Sequence, residues 1–292
     1  MCHIMSARAH LLDGRAVADR LIDNVAAAVA AHRERGGVQP GLAVVLVGDD
    51  PASEVYVANK IKACERAGIA SRCHRLQHGV GRGELLALID SLNQNEAVHG
   101  ILVQLPLPGH LDEKAVTARV HPDKDVDGFH PRNTGRLALR DPGLRPCTPR
   151  GVMTLLGAYG IDPKGRHVLI VGASNIVGRP LALEMLLAGA TVTVAHRFTE
   201  NLEKHVAAAD ILCVAVGKRD VVRPDWIQPG SVVVDIGITR GEDGRIRGDL
   251  DFDACAQRAG WITPVPGGVG PMTVATLLQN TAEAAGLVVL AP

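Results

Sequence analysis

Short, continuous apolar runs alternate along this chain with longer stretches in which apolar residues recur every three or four positions. Continuous runs bounded by Gly, Asp or Pro mark strands buried on both faces, and helical spacing between them points to βαβ units and parallel sheets. In the first half, Val17, Leu21, Val25 and Val29 predict a helix over residues 14–33, followed by a strand over 41–48. A turn at 49–52 then leads into a helix, with Ser53 as the expected N-cap. A further helix over 82–92 precedes a strand over 100–104, which Pro106 and Pro108 stop. A second series opens at Thr148-Pro149, a capping hydroxyl followed by proline at the first helical position. It continues with strands over 165–172, 191–195, 210–217 and 231–238, a helix over 181–188 after the first of them, and a last helix over 274–285.

This pattern predicts an α/β protein of two α/β domains flanking a cleft, the C-terminal one a Rossmann-type parallel sheet. The expected first domain is residues 1–148 plus 274–292, discontinuous because the last helix returns to it, and the second is 149–273. Composition narrows the partners. Lys+Arg 31 balance Asp+Glu 31, and aromatic residues are only 2% of 292, which removes both the electrostatic footprint and the stacking platforms of a nucleic-acid binder. No apolar run approaches the roughly 20 residues that span a bilayer, and residues 1–14 lack a basic region followed by an apolar core. The six cysteines, Cys2, Cys64, Cys73, Cys147, Cys213 and Cys255, form no CxxC pair or Cys/His cluster. They read as reduced thiols in a cytoplasmic protein without a metal site, and neither nucleic acid nor membrane is expected as a partner.

Candidate chemistry concentrates after the strands. Tyr56 and Lys60, four apart on the helix that follows the 41–48 strand, rise from one face just beyond a sheet edge where open α/β folds bind ligands. Gln104 interrupts an otherwise apolar strand; an unpaired buried amide would cost about 1–3 kcal/mol, so it needs partners at both ends. The loop at 121–129 carries Asp123, Asp125 and Asp127 without the glycine placement and downstream glutamate of a calcium loop. One of these carboxylates, reaching into the cleft, would suit the paired donors of an amidine-like heterocycle edge. In the second series, Gly172-Ala173-Ser174-Asn175-Ile176-Val177-Gly178 departs from GxGxxG at Ser174 and at the last glycine, yet lies between a strand and a helix as that fingerprint requires. The next strand ends in His196-Arg197 rather than an acid, which favours the 2′-phosphate of NADP over the ribose hydroxyls of NAD. The Gly- and Pro-rich stretch 263–273 is too constrained for a linker. Asp235 reads as structural.

Taken together, Tyr56 to Lys60, Gly100 to Pro108, Lys124 to Gly128, the Gly172 to Pro180 loop and Pro264 to Thr273 resemble the bifunctional methylenetetrahydrofolate dehydrogenase/cyclohydrolase (FolD) family, in order and over nearly the whole chain. The resemblance implies NADP-dependent oxidation of 5,10-methylenetetrahydrofolate to the methenyl form and its hydrolysis to 10-formyltetrahydrofolate. That chemistry belongs to one-carbon metabolism and purine biosynthesis, in a cytoplasmic homodimer. It implies that Lys60 assists water attack and proton transfer, Gln104 orients Lys60, Tyr56 stacks on the folate and Asp127 grips the pterin. Val103, Leu105, Pro266, Gly267 and Gly268 would join them on the substrate. Thr148, Gly172, Ala173, Ser174, Ile176, Val177, His196, Arg197 and Ile238 would hold NADP. Some relatives carry arginine where Ala173 stands, which leaves the 2′-phosphate mainly to Arg197. Short-chain dehydrogenases also use Tyr-x-x-x-Lys, but they place the glycine loop ahead of that pair, the reverse of the order here. The same cleft would also serve a monofunctional dehydrogenase, or a folate- or dinucleotide-binding sensor without turnover.

Overall fold

The computed structural model describes residues 8–241 and 243–292; Cys2 and residues 1–7 of the N-terminal stretch lie outside them. In chain order the elements are β1 (His10–Leu11), α1 (Gly14–Glu34), β2 (Gly41–Val47), α2 (Pro51–Ala67), β3 (Ala70–Leu76), α3 (Arg82–Gln94), β4 (Gly100–Val103), α4 (Glu113–Thr117), α5 (Pro131–Ala138) and α6 (Cys147–Ala158). They continue with β5 (His167–Val171), α7 (Gly178–Leu187), β6 (Thr191–Ala195), α8 (Leu202–Ala207), β7 (Ile211–Val214), β8 (Val232–Asp235), the strands β9 (Thr239–Arg240) and β10 (Ile246–Arg247), α9 (Phe252–Cys255), β11 (Trp261–Ile262) and α10 (Val269–Ala284).

Among the described residues two compact units emerge, one of residues 18–147 with 274–292 and the other of 8–17 with 148–273. The N-terminal stretch therefore groups with the second unit rather than the first: β1 pairs in parallel with β11, and the Ala9 amide donates to the Ala256 carbonyl. The chain passes between units inside α1, α6 and α10, three passages where the sequence pattern marks two.

In the first unit β2 is central, flanked in parallel by β3 and β4. All seven residues of β2 are buried, as its unbroken apolar run requires. Strand β3 is absent from the sequence expectation because Ala-Ser-Arg-Cys-His-Arg-Leu has no apolar run; it is an edge strand, its residues half-buried or exposed. Ala43, Val45, Ile101 and Val103 pack with Leu85, Ile89 and Leu92 of α3 to form a core. The second unit is a six-stranded parallel sheet in the order β1-β11-β8-β7-β5-β6. The order reverses at β5, between β6 and β7, the arrangement of a doubly wound nucleotide-binding sheet.

Four helix starts differ from expectation, and at two of them a competing side-chain partner outranks the local signal. Asp50, not Ser53, caps α2, since its Oδ2 accepts from both the amide and Oγ of Ser53 at 2.8 Å, with Pro51 in the first turn. Helix α6 already includes Cys147 and Thr148, so Thr148 does not cap it; its Oγ1 meets Oγ1 of Thr273 at 2.9 Å. Helix α10 starts five residues before the expected 274, and α7 three before the expected 181.

Candidate active site

In the first unit, α2 follows the C-terminal end of β2, and Gln104 follows β4 directly. Because β3 and β4 lie on opposite sides of β2, this end of the sheet is a topological switch point, where open α/β sheets present ligand-binding side chains. Val57 is buried, and the face of α2 that carries Tyr56 and Lys60 is turned from the core: Tyr56 is 42% exposed and Lys60 half-buried. Lys60 Nζ donates to Gln104 Oε1 at 3.0 Å. The same amide donates through Nε2 to the Leu105 carbonyl at 2.6 Å, while the Gln104 backbone amide donates to the Val45 carbonyl at 2.9 Å. Both ends of the amide are satisfied, and the Nε2 bond fixes which end faces Lys60. Val103, by contrast, turns its side chain into the core, so only its main chain is available to a ligand, and the Leu105 carbonyl is already engaged.

The acidic loop divides its labour. Asp123 is exposed. Asp125 is buried and accepts from the Phe129 and His130 amides at 3.2 and 2.8 Å and from Asn133 Nδ2 at 3.0 Å, which folds the loop into shape. Asp127 is half-buried, and among the described residues no group donates to its carboxylate. Loss of water pushes the Asp127 carboxyl up to about 6, the Lys60 charge pulls it back down, and Asp125 adds to the rise. Gly128, at φ +76°, follows; a Cβ there would lie 2.4 Å from backbone atoms of Arg145 and Pro146, so only glycine lets the two segments meet. Asn280 of α10 clamps this junction, donating through Nδ2 to the Val126 and Arg145 carbonyls, both at 2.8 Å. Nothing in the sequence pattern points to Asn280, since a lone amide on an apolar helix has no local signature.

In the second unit the glycine loop follows β5. At Gly172 (φ +120°) a Cβ would lie 2.2 Å from the Ala215 carbonyl oxygen, and at Gly178 one would lie 1.9 Å from the Gly172 oxygen. The two glycines thus serve the tight turn and the close helix–strand approach of the fingerprint. The helix N-terminus is not free as expected. Ser174 Oγ accepts from the Val177 and Gly178 amides at 3.1 and 3.3 Å, the Arg179 amide donates to the Ser174 carbonyl, and the Leu181 amide donates to Val177. Ala173 is half-buried, Ile176 is 41% exposed, and Val177 is half-buried at the N-cap. The Gly172 amide donates to the Ala195 carbonyl at 2.9 Å, which sets the start of this loop beside the His196-Arg197 turn. Both of those residues are exposed; the Arg197 guanidinium lies 4.6 Å from the centroid of the Phe198 ring.

Ile238, 46% exposed, faces Gly270, and the Pro264–Gly268 loop is fixed from α1: the Arg15 amide donates to the Gly267 carbonyl at 2.9 Å. Pro266 is exposed, Gly267 has φ +110°, a Cβ on Gly268 would lie 2.5 Å from the Pro264 oxygen, and one on Gly14 would lie 1.8 Å from the Gly268 oxygen. Asp235 accepts from the amides of Gly237, Asp249 and Leu250, a structural role. A cavity of about 260 Å³ in this unit, lined by Arg219, Asp235, Arg247 and Asp251, includes none of the predicted cofactor residues.

A doubly wound sheet with a glycine loop at its switch point is the architecture of a dinucleotide-binding α/β protein, and the chain adds to it a further α/β unit bearing a paired lysine. Comparison with known proteins makes the class specific. Residues 12–127 match the tetrahydrofolate dehydrogenase/cyclohydrolase catalytic domain, and residues 146–288 match the NAD(P)-binding domain of the same proteins. Among solved structures, the bifunctional FolD methylenetetrahydrofolate dehydrogenase/cyclohydrolase of Campylobacter jejuni is 48% identical, with TM-score 0.92 over 94% of this chain and 98% of that one. The Trypanosoma brucei enzyme, solved with NADP cofactor and inhibitor, is 38% identical with TM-score 0.91, over 96% and 98%. The methylenetetrahydrofolate dehydrogenase of the silkworm Bombyx mori is 39% identical with TM-score 0.90, over 95% and 98%. The chain belongs to the tetrahydrofolate dehydrogenase/cyclohydrolase family and is a bifunctional enzyme that uses NAD(P). No helix among the described residues is long and apolar enough to cross a membrane.

Proposed function

We propose that Lys60, held by Gln104, carries the proton chemistry of this enzyme on 5,10-methylene- and 5,10-methenyltetrahydrofolate, and that NADP rather than NAD is its cofactor. One observation supports this reading above the others: the 3.0 Å bond from Lys60 Nζ to Gln104 Oε1, with the amide locked from behind by Leu105. A flexible lysine is thereby brought to one position before substrate arrives, which is what proton transfer in a defined geometry demands.

NADP⁺, when bound, accepts the hydride from the one-carbon bridge. The residues of this chain do the rest. Asp127 presents a carboxylate without internal donors to the donor edge of the pterin, and Tyr56 offers its ring to the folate. Lys60 Nζ, as the neutral amine, takes one proton from the water that adds to the methenyl carbon and delivers it to the departing nitrogen; the remaining hydroxyl proton leaves to solvent as the carbon–nitrogen bond breaks and the carbonyl of 10-formyltetrahydrofolate forms. The glycine loop fits a dinucleotide on two counts: its backbone closes where a Cβ would clash, and Arg197 beside it has no carboxylate within ion-pair distance among the described residues. An exposed guanidinium without an acid partner suits a 2′-phosphate.

The remaining expectations extend this reading: a homodimer in the cytoplasm, feeding a one-carbon donor to purine biosynthesis. None of the five described cysteines is in a disulfide, as a reducing compartment favours. The deciding experiment supplies purified protein with 5,10-methylenetetrahydrofolate and either NADP⁺ or NAD⁺, following reduced cofactor and the methenyl chromophore separately. Both activities are expected, with NADP⁺ preferred; absence of both would end the catalytic reading, and dehydrogenation without hydrolysis would favour a monofunctional dehydrogenase.

A further inference from the structure

Arg179 stands in the first turn of α7, exposed, and its Nε donates to the Ala173 carbonyl at 3.0 Å. That bond uses one of five guanidinium N–H donors and leaves those on the two terminal nitrogens. Elsewhere on this electrically balanced chain, surface arginines often take a carboxylate: Arg66 meets Asp23, Arg75 meets Glu54, Arg223 meets Asp225 and Arg247 meets Asp243. Neither Arg179 nor Arg197 does so among the described residues, although ion pairs are plentiful. Their positions are related. Ala173 follows the Gly172 amide that donates to Ala195, and Ala195 is followed by His196 and Arg197, so the anchor of Arg179 is one residue from the bond joining the two loops.

The helix N-terminus beneath Arg179 adds little of its own, because the Gly178, Arg179 and Leu181 amides are spent on Ser174 and Val177 and Pro180 has no N–H. Positive charge at this corner therefore comes from side chains. A phosphate monoester carries close to two negative charges at neutral pH and is best answered by two cations with fixed donor geometry. Arg179 is the more fixed of the two arginines, being pinned at Nε, whereas Arg197 rests on an exposed ring.

We propose that Arg179 is a second specificity-determining residue of the cofactor site, which together with Arg197 binds the 2′-phosphate that distinguishes NADP from NAD. The inference rests on the dinucleotide reading of this unit and assigns its selectivity to a pair of guanidinium groups delivered from α7 and from the end of β6.

Calorimetric titration of the full chain with 2′,5′-ADP and with 5′-ADP tests it without turnover. Arg179→Ala is expected to weaken 2′,5′-ADP by about tenfold or more, the cost of a charged hydrogen-bond partner, and to leave 5′-ADP within about twofold. Arg179→Lys, which keeps the charge but not the Nε anchor, should recover part of the loss. Equal weakening of both nucleotides would overturn the proposal, since it would assign Arg179 to the pyrophosphate or to the shape of the loop. An unchanged 2′,5′-ADP affinity would overturn it as well. If the unaltered protein bound neither nucleotide, the dinucleotide reading itself would fall, an outcome distinct from either of the others.

Discussion

The two units use one topological device but partner the polar residues beside it in opposite ways. Each has a parallel sheet whose strand order reverses, at β2 in one and β5 in the other, and each places polar residues at the reversal. In the first unit those residues are partnered within the protein: Lys60 with Gln104, Gln104 with Leu105, and the Asp127 loop with Asn280. In the second unit the exposed cations Arg179 and Arg197 have no acid partner among the described residues, while the backbone around them is closely packed. A group that moves a proton must be held before the substrate arrives, because misplacement costs rate directly. A group that grips a charged cofactor is better left without an internal counter-ion, since an ion pair would have to be broken on binding.

That contrast can be broken, and the largest effect is expected at Lys60. Lys60→Ala should lower hydrolysis of 5,10-methenyltetrahydrofolate by about 10²–10⁴-fold, the range for loss of a general acid–base group, while folate binding measured by fluorescence persists. Retained water addition would remove Lys60 from the reaction. Gly178→Ala tests the other unit. Its new Cβ would fall 1.9 Å from the Gly172 oxygen, so the loop must shift at a cost of about 2–3 kcal/mol, with dinucleotide binding lost. Hydrolysis of the methenyl substrate needs no cofactor and should survive in this variant; if both activities fell together, the division of labour between units would not hold.

Asn280→Ala should cost about 2 kcal/mol in denaturant unfolding, because the Val126 and Arg145 carbonyls each lose the Asn280 amide bond. It should also raise KM for folate more than it lowers kcat, since the amide acts through the loop that carries Asp127. The smallest effect concerns pH. The Asp127 carboxyl is raised to about 6 in the folded chain, so its contribution to stability is fully present below the ordinary aspartate value and is lost as pH rises through about 6. Asp127→Asn should therefore gain stability relative to the unaltered protein between about pH 4 and 7. The gain is on the order of 1 kcal/mol after allowance for solvent at a half-buried carboxylate. A pH-independent difference would show that the group is not desolvated.

Legibility in the sequence follows the range of the forces involved. Buried strands announce themselves, because burial on both faces demands a continuous apolar run, and β2, β4, β5, β7 and β8 all have one. Strand β3 has no such run, and β1 and β11 are two residues each, too short for any periodicity. The cap at Asp50 is legible in principle, as Asp-Pro is a stronger start than an internal serine, but Ser53 competes for the same role in the local pattern. Among the site residues, Gln104 is conspicuous because an amide on an apolar strand is costly unless paired, and it is paired at both ends. Arg179 carries no such mark, because exposed arginines are common and only its missing counter-ion sets it apart.

By itself, then, the sequence determined the α/β class, the identity of the central strands, the places where glycine alone would serve, and the chemistry of the residues beside the strand ends. Hydrophobic periodicity and conformational restriction are local properties and are written locally. Tertiary structure alone decided that β1 joins the second unit's sheet, that Asn280 braces a loop some 150 positions earlier, that Asp125 builds the acidic loop while the Asp127 carboxylate receives no donor among the described residues, and that Ser174 consumes the helix-terminal amides the glycine motif had promised to a phosphate. Those outcomes depend on which donors and acceptors meet after distant segments pack, and no window of neighbouring residues contains that information. The face of α2 bearing Tyr56 and Lys60 shows both halves: four-residue spacing placed the two side chains together, but only the arrival of β4 gave Lys60 its partner.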